Sequence, residues 1–305
     1  MSTENLILSV RNVTKKFRRF AAIEDVSFDI LKGEVVGFVG INGAGKTTTI
    51  HTILGFTSPT KGSVEVFGQK ITPARAHVSH RNIGYAAGDM ELPDGMTGKS
   101  YIDFVIGQSG DDCRDALAEL IEKFKPQLNK KLKTLSRGNK QKIALIAAFV
   151  TKPELVILDE PTSGLDPLMQ RVFLDFISAE KARGTTIFMS SHYLQEVAEV
   201  CSRVILMKDG KIVEDLSTEQ LEQAGGKTVR IITLHEVDAP ESGVRSLERA
   251  LVDEKHTTQF VYSGSLSELI AWAAKLDDVI DIEISEQTLE AEFRNLYTDK
   301  DEEES

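Results

Sequence analysis

Cysteine is nearly missing from this 305-residue sequence: Cys113 and Cys201 are the only two. No disulfide framework can be drawn from that pair, and a reducing compartment fits. Long apolar runs are missing too. The longest, Ile143 to Val150, spans eight residues, against the roughly 18 that suggest a membrane-spanning helix. The opening MSTENLILSVRN lacks the basic start and apolar middle of a secretion signal. A cytoplasmic protein is expected. There is no surplus of basic charge either. Residues 1–222 hold 28 basic and 28 acidic side chains, while residues 223–305 hold 8 and 19 and supply the whole net charge of −11. A broad nucleic-acid surface needs a basic stripe, so none is expected. The closing DKDEEES reads as a solvated end, and no internal repeat is visible.

What is present is ordinary for a globular chain: 41% hydrophobic and 27% charged residues. The length suits one large domain with a smaller one. Val35–Val39 and Leu155–Leu158 read as strands buried on both faces, and Thr185–Met189 as a third. Helical patterns at Thr47–Leu54 and Met169–Ala182 alternate with them, which predicts a mainly parallel sheet with helices on its faces. Shorter strands at Leu6–Val10, Val26–Ile30 and Val64–Phe67 predict an antiparallel portion, and Asp209-Gly210 a hairpin between Val204–Met207 and Lys211–Val213. Residues 97–150 read as a helical insertion. The pair Gly225-Gly226 marks a linker. Beyond it, strands at Val229–Leu234, Gln259–Tyr262 and Val279–Ile284, with helices at Leu266–Leu276 and Thr288–Leu296, predict a small α+β appendage. The expected domains are therefore 1–222 and 223–305.

Gly40-x-x-x-x-Gly45-Lys46-Thr47 matches the phosphate-binding P-loop in its required setting, after a strand and before a helix. Gly43 and Gly45 let backbone N–H groups converge on phosphate oxygens, and the helix N-terminus adds positive potential. Lys46 supplies charge for the β- and γ-phosphates, and the Thr47 hydroxyl is a ligand for Mg²⁺. Thr48 can donate to the α- or β-phosphate. Asp159, ending the strand Leu155–Leu158, suits the Mg²⁺ water shell, and Glu160 beside it can polarise an attacking water. His192 follows the third strand, at the sheet end where ligands bind. It can contact the γ-phosphate or orient the attacking water.

Leu135-Ser-Arg-Gly-Asn-Lys-Gln141 resembles the signature motif of ABC-transporter ATP-binding subunits, about twenty residues before the Asp159-Glu160 strand as in that family. Asn42-Gly43-Ala44-Gly45-Lys46-Thr47-Thr48 resembles the family's P-loop, and Asp159 to Pro167 its Walker B and D-loop run, with Asp166 in the D-loop. The likeness covers roughly residues 5–220. It implies a P-loop NTPase of the ABC type that binds and hydrolyses ATP with Mg²⁺. It also implies that two cassettes pair head to tail, as a homodimer or with a homologous subunit. Ser136, Arg137, Gly138 and Asn139 would then serve the partner's nucleotide. Phe17 would stack on adenine, though a core role suits it equally. Separately encoded membrane-spanning subunits would hold the chain at the cytoplasmic face of the membrane, where dimer closure drives transport.

Two motifs depart from the family's pattern, the signature at Arg137 and Asn139 and the Q-loop at Gly88. The signature reads LSRGN, similar to subunits serving drug, antibiotic and polysaccharide exporters, so export is expected. Where the family's Q-loop has glutamine this chain has Gly88, and Asp89 or a water is expected to take over. Glu286–Phe293 resembles the closing helix of exporter-type subunits, where a structural cap is expected. The rival reading is a soluble ABC-type ATPase working on nucleic acid or in translation. Such relatives carry two cassettes or a long coiled-coil insertion, and this sequence has neither.

Overall fold

A computed structural model describes residues 5–88, 92–110, 112–220, 226–252 and 254–286. The chain forms two compact units, Met1–Ser217 and Thr218–Ser305. The boundary expected at 222 falls among residues 221–225, outside the described residues, as does the helix expected at 288–296.

In the first unit, β1 (Leu6–Phe17) and β2 (Phe20–Leu31) form a hairpin. These strands run well past the short segments anticipated, because Phe17 pairs with Phe20 across a two-residue turn whose Arg18 takes φ +56°. With β4 (Lys61–Val66) and β5 (Gln69–Lys70) they make an antiparallel sheet of order β2-β1-β4-β5.

The second sheet carries the site. Its strands are β3 (Val35–Val39), β6 (Ile83–Ala86), β7 (Leu155–Leu158), β8 (Thr186–Ser191), β9 (Arg203–Lys208) and β10 (Lys211–Ser217). Their order is β10-β9-β3-β8-β7-β6, parallel throughout except for β10. Every residue of β3, β7 and β8 is buried, which is why they read as unbroken apolar runs and not as alternations. Phe28 of β2 packs on Phe38 of β3 and Phe188 of β8, with ring centroids 5.9 and 5.5 Å away. The two sheets thereby share one hydrophobic core.

Helix α1 (Lys46–Ile53) leaves the loop after β3, and α2 (Ala76–His80) precedes β6. Residues 97–150 hold α3 (Gly98–Ser109), α4 (Arg114–Phe124) and α5 (Arg137–Phe149). All but the last residue of the longest apolar run, Ile143 to Phe149, lies in the buried half of α5, and Val150 caps that helix. Helix α6 (Pro167–Ala182) joins β7 to β8, and α7 (Leu194–Val200) joins β8 to β9.

The second unit is a four-stranded antiparallel sheet: β11 (Lys227–Thr233), β12 (Val244–Val252), β13 (Lys255–Tyr262) and β14 (Val279–Glu286), in the order β12-β13-β11-β14. Helix α8 (Leu266–Ala273) starts at a Ser265–Glu268 capping box. Val229, Ile231, Phe260, Tyr262 and Leu269 form its core. Strand β12 was not anticipated. It is an edge strand exposed along nearly its whole length, so its sequence carries no apolar alternation.

Candidate active site

Three neighbouring strands, β3, β8 and β7, end on the same side of the sheet, and each delivers part of one constellation. After β3 the chain turns through Gly40–Gly45 into α1. Gly45 takes φ +107°, and a Cβ there would lie 2.7 Å from the Ala22 carbonyl oxygen and 2.8 Å from Met207 Cε. Only glycine fits this approach. Gly43 takes φ +88° with open space on its Cβ side, so the loop is packed against the protein at Gly45 and open toward solvent at Gly43.

Lys46 is 5% exposed. Its Nζ donates to the Gly40 and Ile41 carbonyls at 2.7 and 3.3 Å and lies 3.3 Å from Glu160 Oε1. Thr47 is exposed, Thr48 half-buried and Ala44 buried. Phe17, Asn42, Gly43, Gly45, Lys46, Thr47, Thr48 and Glu160 all line one cleft of about 370 Å³. Phe17 stands half exposed at its mouth, with Lys15 Nζ 5.0 Å from its ring centroid. A solvent-facing ring in this place is not a core residue.

Asp159 ends β7 and is 3% exposed. Ser190 of β8 ties it down: the Ser190 hydroxyl donates to Asp159 Oδ1 at 2.5 Å and accepts from the Glu160 N–H at 3.0 Å. Glu160 sits at φ +47°, a backbone region costly for a residue with a side chain. Its second oxygen, Oε2, lies 3.6 Å from His192 Nδ1. Thr162 donates to Glu196 Oε2 at 2.9 Å. Burial raises the Glu196 carboxyl above its usual range, against the lowering effects of Thr162 and His192. Burial, and then the charge of Asp159, push the Tyr85 hydroxyl up.

The signature residues are held elsewhere in the unit. Ser136 caps α5, accepting from the Asn139 N–H and side-chain amide at 3.4 and 3.2 Å. Arg137 Nη2 donates to Ser163 Oγ at 2.9 Å. A Cβ on Gly138 would come within 2.6 Å of the Gly164 carbonyl oxygen. Gln141 is 2% exposed and donates to the Pro161 carbonyl at 2.9 Å. Asp166 caps α6 by accepting from the Met169 N–H at 2.9 Å. None of these residues lines the cleft at the P-loop. Gly88 lies against Asp159, where a Cβ would be 2.9 Å from its carbonyl oxygen. A glutamine side chain would be crowded there. Asp89 lies outside the described residues.

A profile of the ABC transporter family matches residues 23–163. The uncharacterized ABC transporter ATP-binding protein YhaQ of Bacillus subtilis is 35% identical over 237 residues, 76% of this chain and 78% of that protein. The chain belongs to the ABC transporter ATP-binding proteins. The Nod factor export ATP-binding protein I of Burkholderia orbicola is 31% identical over 213 residues, 68% of this chain and 70% of that one. The solved structure of an ATP-binding subunit of an ABC transporter shares the fold with a TM-score of 0.66 at 27% identity, covering 72% of this chain and 92% of that one. The chain is thus the ATP-binding, ATP-hydrolysing subunit of an ABC transporter, on a P-loop NTPase fold. No helix among the described residues is long and apolar enough to cross a membrane.

Sequence reading passed over three residues of this cassette. Ser190 is a plain serine in an apolar strand, although its position two residues before His192 puts it at the right end. Thr162 and Glu196 carry no signal beyond polarity. Their meeting depends on the turn after β7 reaching the first turn of α7.

Proposed function

We propose that this cassette hydrolyses ATP at a composite site, with its own P-loop face completed by the signature face of a second copy or a homologous subunit. The observation that carries the reading is the chain of contacts Lys46–Glu160–His192, at 3.3 and 3.6 Å, whose first two members line the P-loop cleft. The triphosphate lies along Asn42–Thr48, with the open side of Gly43 as its cradle and Lys46 turning its ammonium to the β- and γ-phosphates. Phe17 stacks on the base.

The residues fit a Mg²⁺ ion in kind, since the exposed Thr47 lines the cleft and the buried Asp159 carboxylate directly precedes Glu160, which lines it too. Thr47 would hold the ion directly and Asp159 through water, and the ion would supply charge neutralisation at the phosphates. Glu160 accepts the proton of the attacking water or orients it, and His192 faces the γ-phosphate. Ser136, Arg137, Gly138 and Asn139 face the partner's γ-phosphate, with Asp166 at the seam. Their placement away from the chain's own cleft supports that division of labour.

Separately encoded membrane-spanning subunits couple the closing and opening of this pair to transport, which sets the cassette at the cytoplasmic face of the membrane. The likeness to the Nod factor export protein and the LSRGN signature favour export. Asp89 or a water replaces the missing Q-loop glutamine. The test is the dependence of turnover on protein concentration. Specific ATPase activity should fall on dilution below the pairing constant. A protomer that turns over at full rate at all dilutions overturns the composite site.

A further inference from the structure

The turn that carries Glu160 and the loop that carries His192 are joined by a bond outside the phosphate-binding motifs. Thr162, two residues beyond Glu160 and 4% exposed, donates its hydroxyl proton to Glu196 Oε2 at 2.9 Å. The turn itself is tight, with the Ser163 N–H on the Glu160 carbonyl and the Leu165 N–H on the Thr162 carbonyl, both at 3.1 Å. Movement at Thr162 is therefore felt at Glu160.

Glu196 sits in the first turn of α7, four residues after His192. That helix has little freedom. Val197 packs where a Gly37 side chain would be, its Cγ1 lying 1.7 Å from the position a Cβ would occupy on β3. Near its other end, Lys181 of α6 donates to the Val200 carbonyl at 3.1 Å. Helix α7, and Glu196 with it, is thus fixed against β3, the strand that feeds the P-loop. The imidazole of His192, in the loop just before α7, reaches Glu160 at 3.6 Å.

We propose that Glu196 is a positioning residue for hydrolysis, holding the Glu160 turn through Thr162 against the helix that follows His192 so that Glu160 and His192 keep a fixed separation. It touches neither nucleotide nor water. Its work is to limit how far the Glu160 carboxylate and the imidazole drift apart, and orientation of this kind is read in kcat more than in binding. The inference rests on the hydrolytic roles proposed for Glu160 and His192.

The test is steady-state ATPase kinetics on the full chain, with melting and ATP affinity measured in parallel. Thr162→Val and Glu196→Ala should each lower kcat by roughly 10- to 100-fold, as loss of a hydrogen bond to a charged group implies. KM for ATP should stay within about twofold. Thr162→Ser, which keeps the hydroxyl, should restore most of the rate. The double variant should be no slower than the worse single one, because both remove the same bond.

Wild-type turnover in Thr162→Val would overturn the inference. So would double-variant losses that multiply, or losses that follow ATP affinity instead of kcat. Should Glu196→Ala fold poorly, Thr162→Val decides in its place, and Glu196→Gln, whose amide oxygen still accepts from Thr162, should keep most of the rate; a Glu196→Gln rate as low as that of Thr162→Val counts against the proposal. Glu160→Gln separates the two levels. If it is inactive while the Thr162 and Glu196 variants are normal, only the positioning role fails; if it turns over normally, the reading of the site itself fails.

Discussion

Replacing Glu160 by glutamine changes one charge and almost no volume, and its two consequences can be sized separately. Gln keeps the backbone at φ +47°, so the conformational cost is the same in both proteins and cancels. The lost item in the folded chain is the ionic contact to Lys46 at 3.3 Å, with the lysine side chain 5% and the glutamate 25% exposed. A hydrogen bond to a charged group is worth about 1.5–3 kcal/mol and a neutral one about 0.5–1.5, so about 1–2 kcal/mol of stability should go. For a unit of this size that is a fall in Tm of about 2–8 °C. Hydrolysis should suffer far more. Removing a group that accepts or orients the proton of the attacking water costs about 10²–10⁴ in kcat, or about 3–5 kcal/mol of barrier. ATP affinity should survive, because Lys46, Thr47 and the loop amides are untouched. A slow variant keeps its ATP, so saturating ATP with Mg²⁺ should raise its Tm. At 100 times Kd the gain is about 2.7 kcal/mol, more than the mutation removes. Single-turnover hydrolysis, equilibrium binding and thermal melting test the three figures. A Glu160→Gln chain with wild-type kcat, or one whose loss of rate is matched by a loss of ATP affinity, refutes the reasoning.

Gly138→Ala places a Cβ 2.6 Å from the Gly164 carbonyl oxygen, and backbone on both sides leaves nothing flexible to yield. ATP-dependent pairing, followed by sedimentation in a Glu160→Gln background, should weaken at least tenfold while ATP binding to the single chain stays unchanged. Gln141→Leu strands the Pro161 carbonyl that now accepts at 2.9 Å. It should cost about 1–3 kcal/mol in urea denaturation, and a midpoint within error of wild type would show that the bond contributes nothing. Because burial raises the Glu196 carboxyl, the folded chain favours its protonated form. Its contribution is whole below the ordinary carboxylate range of about pH 4 and is lost as pH climbs through the raised value. Wild type should therefore lose stability relative to Glu196→Gln as pH climbs above the ordinary carboxylate range, read as converging or crossing urea midpoints. A difference constant with pH would deny the shift.

The P-loop and the Asp159-Glu160 strand were legible because each is a local statement: a spacing, a strand before it and a helix or turn after it. The apolar runs that announced β3, β7 and β8 did so because those strands are buried on both faces. What stayed hidden lies between elements. Nothing in the local sequence says that Ser190 bridges Asp159 and the Glu160 amide, or that Thr162 meets Glu196. Those contacts need the parallel order β3-β8-β7 and the docking of α7, both set by tertiary packing. The hairpin of β1 and β2 was read too short because its far end is solvent-exposed and carries Lys15, Lys16, Arg18 and Arg19 in place of apolar alternation. Strand β12 escaped for the same reason, since an edge strand with little to bury leaves no periodic signal.

Glu160 shows where local rules give way. At φ +47° glycine would sit without penalty, and a residue bearing a Cβ costs about 1–2 kcal/mol. The surroundings hold the glutamate there: Ser190 accepts its N–H, the Ser163 N–H binds its carbonyl, and the side chain spans Lys46 and His192. A backbone held in this way places one carboxylate, lining the P-loop cleft, between an ammonium and an imidazole. That cost is small beside the about 3–5 kcal/mol of barrier lowering proposed for the same carboxylate, so the hydrolytic role predicts that Glu160→Gly gains stability while losing turnover.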